Sequence, residues 1–118
     1  MKIRQIKEML NATVLCCEEN LDSEVHSACG SDMMSDVLAY VKDQALLLTG
    51  LVNEQVVRTA AMMDMKCVVL VRKKVPSEEM IQLSRANGIV MMTTDYRLYE
   101  ACGILYTGGL NQDGKCYE

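Results

Sequence analysis

The sequence of 118 residues lacks the features that mark membrane and secreted proteins. No apolar run approaches the ~20 residues that a membrane-spanning helix requires. Residues 1–11 carry a charged or polar side chain at nearly every second position, which excludes the apolar core of a signal peptide. We therefore expect a cytoplasmic protein that makes no contact with a membrane.

Basic clusters are scarce as well. The net charge is −4, and the one run of consecutive basic residues is Arg72-Lys73-Lys74. Proteins that bind DNA or RNA need a basic surface to neutralise phosphates. The sequence therefore predicts that nucleic acid is not a partner.

Motifs for nucleotide hydrolysis and nucleophilic catalysis are missing. The segment Thr49-Gly50-Leu51-Val52-Asn53 lacks the glycine spacing of a dinucleotide loop and the Gly-Lys-Ser/Thr ending of a nucleotide-hydrolysing loop. The single histidine, His26, lies in a segment of alternating polarity that predicts a strand with one exposed face. A lone histidine there is more typical of the surface than of a catalytic base. We expect no catalytic residues.

The six cysteines include no Cys-x-x-Cys pair. Cys67 lies in an apolar run and Cys102 on the apolar stripe of a predicted helix, where cysteine behaves as a small hydrophobic residue. One possible metal site would combine Cys17, His26, Cys29 and Cys116. Their spacing has no zinc-site regularity. We therefore expect reduced thiols, no metal and no cofactor.

Three short runs are continuously apolar, namely Ala45–Thr49, Cys67–Val71 and Ile89–Met92. Strands without polar alternation are buried on both faces, which occurs almost only in parallel sheets covered by helices. Each run is followed by a polar helix start and an amphipathic segment. The pattern predicts three consecutive βα units.

Helix boundaries around these units are also readable. Asn53 and Ser77 are typical helix caps, and Gly88 is suited to end a helix. Upstream, the pattern predicts a helix before Asn11, strands at 13–17 and 24–29 added at an edge of the sheet, and a helix capped by Ser31 or Asp32 that runs to about Val41. Val37, Leu38 and Val41 would face the core. On a strand, the adjacent Cys16 and Cys17 would point to opposite faces.

We therefore predict an α/β fold: a single three-layer domain with a mostly parallel sheet of about five strands flanked by helices. Residues 1–44 would form the N-terminal helix, the edge strands and the capped helix. Residues 45–110 would form the three βα units, and residues 111–118 a frayed tail.

A candidate ligand site follows from this topology, because open α/β sheets bind ligands beyond the carboxyl ends of their strands. The polar residues expected on that rim are Ser31, Asp32, Thr49, Gly50, Asn53, Arg72, Thr93, Thr94, Asp95 and Tyr96. Caps and turns explain Ser31, Asn53 and Asp95 without any ligand. They explain Arg72 and Tyr96 least. We predict that Arg72 holds an anion such as a phosphate at this rim.

The order of short motifs from Ala45 to Leu105 resembles the DRTGG domain family. That order is strand, Thr49-Gly50, capped helix, strand, a helix start at Pro76, Gly88-Ile89 and Thr93-Thr94-Asp95-Tyr96. Residues 30–36 are similar to those of short, stand-alone members, which are related to the N-terminal domain of HPr kinase/phosphorylase. The kinase chemistry of those relatives belongs to a separate domain with a nucleotide-binding loop, which this sequence lacks. The name-giving Asp-Arg-Thr-Gly-Gly motif is absent as well.

The resemblance implies a regulatory or assembly module. Because no catalytic set is found, our leading hypothesis is a non-catalytic module of this kind that forms a homodimer and binds a small phosphorylated or nucleotide-like ligand at the rim. Two alternatives remain open. One is a small phosphotransfer or hydrolase enzyme with Asp95 or Asp32 as base and Arg72 as anion clamp. The other is a purely structural protein-interaction domain. Short members tend to be encoded near iron-only hydrogenase genes in anaerobes, which implies a hydrogenase-related protein partner.

Overall fold

A computed structural model describes residues 1–40 and 45–111 of the chain. The helices of this part are α1 (Ile3–Met9), α2 (Met34–Tyr40), α3 (Glu54–Met62), α4 (Glu78–Ala86) and α5 (Leu98–Thr107). The strands are β1 (Thr13–Cys16), β2 (Ser27–Gly30), β3 (Ala45–Thr49), β4 (Cys67–Leu70) and β5 (Val90–Thr93). Within the described ranges, no helix is long and apolar enough to cross a membrane.

The strands form one sheet in the order β1-β5-β4-β3-β2. β2, β3, β4 and β5 run parallel, and β1 pairs antiparallel with β5. The predicted mostly parallel sheet of five strands is confirmed. The prediction that the two N-terminal strands share one edge was wrong, because β1 and β2 lie at opposite edges. Both edges of a sheet offer the same unpaired backbone groups, so local sequence cannot choose between them.

The two central strands form the middle of the core. Every residue of β3 and β4 is buried, so both faces of the sheet are covered, as the continuous apolar runs predicted. α2, α3 and α4 pack side by side, while α5 packs against α1 and β3. β5 begins and ends one residue later than predicted, which is within the usual uncertainty of an element boundary.

The predicted caps of α3 and α4 are confirmed. Asn53 Oδ1 accepts a hydrogen bond from Val56 N at 3.3 Å, and Ser77 Oγ accepts one from Met80 N at 3.2 Å. Gly88 follows α4 with φ at +68°, a conformation that glycine adopts without a steric penalty. Local side-chain chemistry therefore fixes where these two helices start and stop.

The helix after β2 differs from the prediction. α2 begins at Met34. Ser31 Oγ accepts a hydrogen bond at 2.9 Å from the N–H of Met33, the residue just before the helix. Val37 is buried, but Leu38 is 40% exposed. Successive helical residues are about 100° apart, so Leu38 is turned away from the stripe that buries Val37. Val41 lies outside the described residues.

The prediction for Cys16 and Cys17 also needs correction. Cys17 does not continue β1, because its φ of 62° is left-handed and it begins a 3-10 turn at Glu18–Asn20. The thiols of Cys16 and Cys17 therefore lie together instead of on opposite faces, and both are buried. Leu110, the last residue of the predicted βα units, is buried, and its N–H donates to Leu105 O at 2.9 Å. Asn111 Nδ2 donates to Tyr106 O at 3.0 Å, and residues 112–118 lie outside the described ranges.

Candidate ligand site at the strand ends

The carboxyl ends of β2, β3, β4 and β5 lie along one edge of the sheet, because these strands run parallel. Thr49 is the last residue of β3 and is completely buried. Asp32 follows β2 after one intervening residue, and Arg72 follows β4 by two positions. This edge is the predicted rim, and its parts differ in what their side chains bind.

The carboxylate of Asp32 joins β3 to the loop after β2. Its Oδ1 accepts a hydrogen bond from the Thr49 hydroxyl at 3.0 Å and one from Gly50 N at 2.7 Å. The Thr49 oxygen in turn accepts from Leu51 N at 3.1 Å. Asp32 therefore does not cap α2, although the sequence predicted that either Ser31 or Asp32 would. It satisfies two donors at a strand end that are otherwise removed from water.

A tight turn follows β4 and carries the basic cluster. Arg72 and Lys73 have φ values of 59° and 60°, and Lys74 N donates to Val71 O at 3.2 Å. Positive φ at both central residues is the signature of a type I′ turn, which normally contains glycine or asparagine. Two consecutive basic residues in this conformation are therefore unusual. The sequence has no turn motif that would have predicted them.

Neighbouring backbone holds this strained turn against the loop after β5. Arg72 N donates to Tyr96 O at 2.8 Å, and Lys73 N donates to Thr94 O at 2.9 Å. Thr93 Oγ1 donates to the carbonyl of Lys74 at 2.8 Å. The turn is therefore supported at three consecutive residues by the segment that follows the neighbouring strand.

The side chain of Arg72 extends over Gly50. A Cβ added to Gly50 would collide with the guanidinium, whose Cζ and Nε atoms lie 3.2 and 3.3 Å from that position. Gly50 therefore provides the room in which the arginine lies above the end of β3. Arg72 is exposed, and within the described residues it makes no ion pair shorter than 4.0 Å. Its charge faces solvent beside a hydrogen-bonded turn.

The other predicted rim residues are engaged in local structure. Ser31 and Asn53 make the turn and cap bonds described above. Thr94 is buried, and its hydroxyl donates to Leu10 O at 2.7 Å, which ties β5 to the end of α1. Its oxygen also accepts from Tyr96 N at 3.4 Å. These hydroxyls therefore stabilise the scaffold, and none of them points freely into solvent.

Asp95 and Tyr96 belong to a second part of the rim. They line an open depression of about 280 Å³ together with Leu10, Asn11 and Glu100. Sequence reasoning missed Asn11, which lies in the connection before β1, and Glu100, which lies in the first turn of α5, because neither residue comes directly after a parallel strand. The rim thus divides into this depression and the cluster of Asp32, Thr49, Gly50, Arg72 and Lys73, which we call the Arg72 corner.

The thiols are not activated for chemistry. Burial, followed by the neighbouring Cys16, raises the pKa of Cys17 to about 11, and burial also raises the pKa of Cys67 strongly. Only the thiolate is a good nucleophile or metal ligand, so these cysteines behave as packing residues. In the described part of the chain, no three His, Cys, Asp or Glu side chains are grouped to hold a metal ion. His26 is exposed, and Cys116 lies outside those residues.

Comparison with known families identifies the fold. The profile of the DRTGG domain matches residues 5–108, from the first turn of α1 to the end of α5. This chain belongs to the DRTGG domain family. The resemblance predicted from the order of short motifs is confirmed. Thr107-Gly108-Gly109, the segment closest to the family's name-giving motif, lies at the C-terminal end of α5, where Gly108 packs against Met9.

Among the solved structures similar to this DRTGG domain is one with a TM-score of 0.73 and 16% sequence identity. It is the crystal structure of the CBS and DRTGG domains of the regulatory region of Clostridium perfringens pyrophosphatase, complexed with the activator diadenosine tetraphosphate. The match covers 88% of this chain and 45% of that chain, so this chain spans less than half of its length. The similarity establishes the shared fold. A comparison with curated proteins finds no match.

Proposed function

We propose that this DRTGG domain is a non-catalytic regulatory module that binds a small phosphorylated or nucleotide-like ligand at the Arg72 corner. The observation that carries the proposal is the turn after β4, in which Arg72 and Lys73 both have positive φ. A left-handed residue with a side chain costs on the order of 1–2 kcal/mol. Such strain at a strand end is a reason to look for function there, because ordinary folding does not require it.

The chemistry of the corner suits an anion. A guanidinium presents a rigid fork of N–H donors that matches the oxygens of a phosphate, and that of Arg72 lies beside Gly50 at the end of β3. Lys73, the next residue, is exposed and adds a second positive charge. Asp32 lies at the same corner, but its Oδ1 is already engaged by Thr49 and Gly50. Two cations thus remain available to a ligand.

The non-catalytic part of the proposal is supported by the state of the candidate groups. Asp32, one of the two carboxylates considered as a base, and the Thr94 hydroxyl are used in structural hydrogen bonds. Burial raises the pKa of the Cys17 thiol and that of the Cys67 thiol. Regulation by a nucleotide is also the role stated for the similar pyrophosphatase region, which is complexed with a nucleotide activator.

Calorimetric titration with ATP, AMP, acetyl phosphate and inorganic pyrophosphate tests the ligand proposal. We expect one of these probes to bind, and Arg72→Ala to weaken that binding at least about tenfold, or 1.4 kcal/mol. Arg58→Ala is the matched control, because Arg58 is an exposed arginine on α3 whose partner is Glu54 at 2.8 Å. Equal affinities in wild type and Arg72→Ala would contradict the proposal. Turnover of a probe that Asp95→Asn abolishes would favour the enzyme alternative.

We further propose that the module acts as a cytoplasmic homodimer. The family resemblance adds a protein partner that is related to hydrogenases. Exposed apolar side chains support self-association. Tyr96, Tyr99 and Tyr106 are 37%, 90% and 62% exposed, and all three line one depression along α5. Large apolar side chains that cluster on a surface usually mark contacts with other molecules.

A further inference from the structure

The outer face of α5 has an unusual arrangement of large and absent side chains. Tyr99 is 90% exposed and Tyr106 is 62% exposed. Gly103 lies between them, four residues after the first tyrosine and three before the second. Residues at these spacings lie on one face of a helix. The face therefore consists of two protruding aromatic rings with a gap between them.

The gap is not required by the packing of the chain itself. A Cβ added to Gly103 meets no atom within 4 Å. At the other described glycines without positive φ, an added Cβ would collide with a neighbouring side chain. That neighbour is Cys102 at Gly30, Arg72 at Gly50 and Met9 at Gly108. Glycine inside a helix is less stable than alanine. Gly103 therefore lowers the stability of α5, and no close packing within the monomer explains why a glycine is present.

The surroundings of Gly103 are apolar and aromatic. An open depression of about 720 Å³ runs along α5 and is lined by Tyr96, Tyr99, Glu100, Cys102, Gly103, Ile104, Tyr106 and Thr107. Glu100 is the one charged residue among them. Interface cores are poor in charge and rich in tyrosine, so this surface has the composition of a contact and not of a solvated helix.

We infer that α5 packs against α5 of a second copy of this chain, with the two helices crossing at Gly103. This inference rests on the self-association proposed above and names its surface. In a two-fold arrangement the same patch serves both subunits, so each patch must be complementary to itself. Antiparallel helices that cross at the glycines would bring Tyr99 of each copy beside Tyr106 of the other. The missing side chains permit the close backbone approach.

Charge and area favour a second copy over another partner. The chain has a net charge of −4, and a nearly uncharged face is where two copies meet with least repulsion. The exposed parts of Tyr96, Tyr99 and Tyr106 offer on the order of 400 Å². A stable interface buries about 800 Å² on each side, so the three rings supply about half of it. The remainder of the depression is continuous with these rings.

Sedimentation velocity over a range of protein concentrations tests the inference. We expect the wild type to dimerise and Gly103→Arg to raise the dimer dissociation constant about a hundredfold. The arginine meets open space in the monomer, so the circular dichroism spectrum should be unchanged. Met62→Arg is the matched control, because Met62 is 71% exposed on α3, and its dissociation constant should equal that of the wild type.

The outcomes separate the two proposals. A wild type that stays monomeric at high micromolar concentration would overturn both the self-association and this interface. A wild-type dimer that Gly103→Arg leaves intact would overturn the α5 interface alone. Gly103→Ala gives an independent readout, since its single methyl group should weaken the dimer at least about tenfold. An unchanged dissociation constant in that variant would contradict a close crossing at Gly103.

Discussion

Asp32→Ala should lower the free energy of unfolding by about 2–3 kcal/mol, because it leaves two buried donors without an acceptor. Removing a partner from a buried polar group costs about 1–3 kcal/mol for each group. The groups are the Thr49 hydroxyl and Gly50 N–H, which donate to Asp32 Oδ1 at 3.0 and 2.7 Å. Asp32 itself is exposed, so water can replace part of its role, and we take the lowest part of the combined range of about 2–6 kcal/mol.

Thermal unfolding followed by circular dichroism measures this loss. For a domain of this size, about 2–3 kcal/mol corresponds to a fall in Tm of roughly 8–12 °C. Asp32→Asn keeps an acceptor oxygen but loses the charge that strengthens both bonds, so its loss should be smaller, about 1 kcal/mol.

Asp36→Ala serves as the control for Asp32→Ala. Asp36 is exposed in the first turn of α2, where a carboxylate contributes about 0.3–1 kcal/mol through the helix dipole. If Asp32→Ala and Asp36→Ala destabilise the chain equally, the carboxylate does not fasten the end of β3, and our reasoning about the rim is wrong.

Two further predictions concern the strained turn and the buried thiols. Lys73→Gly should raise the free energy of unfolding by about 0.5–1 kcal/mol, because glycine adopts positive φ without the side-chain penalty. Lys73→Ala should not raise it. Equal stabilities of Lys73→Gly and wild type in urea unfolding would contradict strain in this turn. The pKa of Cys17 is raised from 9.0 to about 11, so its neutral thiol contributes stability that is complete below pH 9.0 and is lost as the pH rises toward about 11. The stability of wild type should therefore fall more steeply across that window than the stability of Cys17→Ala, and parallel curves would refute this assignment.

The fold was largely predictable because its signals are local. The continuous apolar runs at Ala45–Thr49 and Cys67–Val71 reflect burial on both faces, which requires no knowledge of distant residues. Asn53 and Ser77 bond N–H groups three residues ahead, so the caps are also readable from short windows. The α2 region was less predictable, because Asp32 could either cap the nearby helix or bond a distant strand end. It bonds Thr49 and Gly50 at the end of β3.

The candidate site was predictable as a location but not as an arrangement. Parallel strands bring their ends to one edge, and this rule found Arg72 and Gly50 without any structure. It could not foresee that the guanidinium lies over Gly50 or that Arg72 and Lys73 share a left-handed turn. It also missed the α5 surface, since Gly103 becomes notable only when the space around it is known.

The sequence by itself determined the βα order, the burial of the central strands, the caps of α3 and α4, and membership of the DRTGG family. Each of these depends on interactions within a few residues or on the period of apolar side chains. Tertiary structure alone decided which edge each N-terminal strand occupies, which partner Asp32 takes and where Arg72 points. Those outcomes depend on residues far apart in the chain, as with Thr94 and Leu10, which are separated by 84 positions. Local sequence constrains such contacts weakly, because their energies exist only after the sheet has assembled.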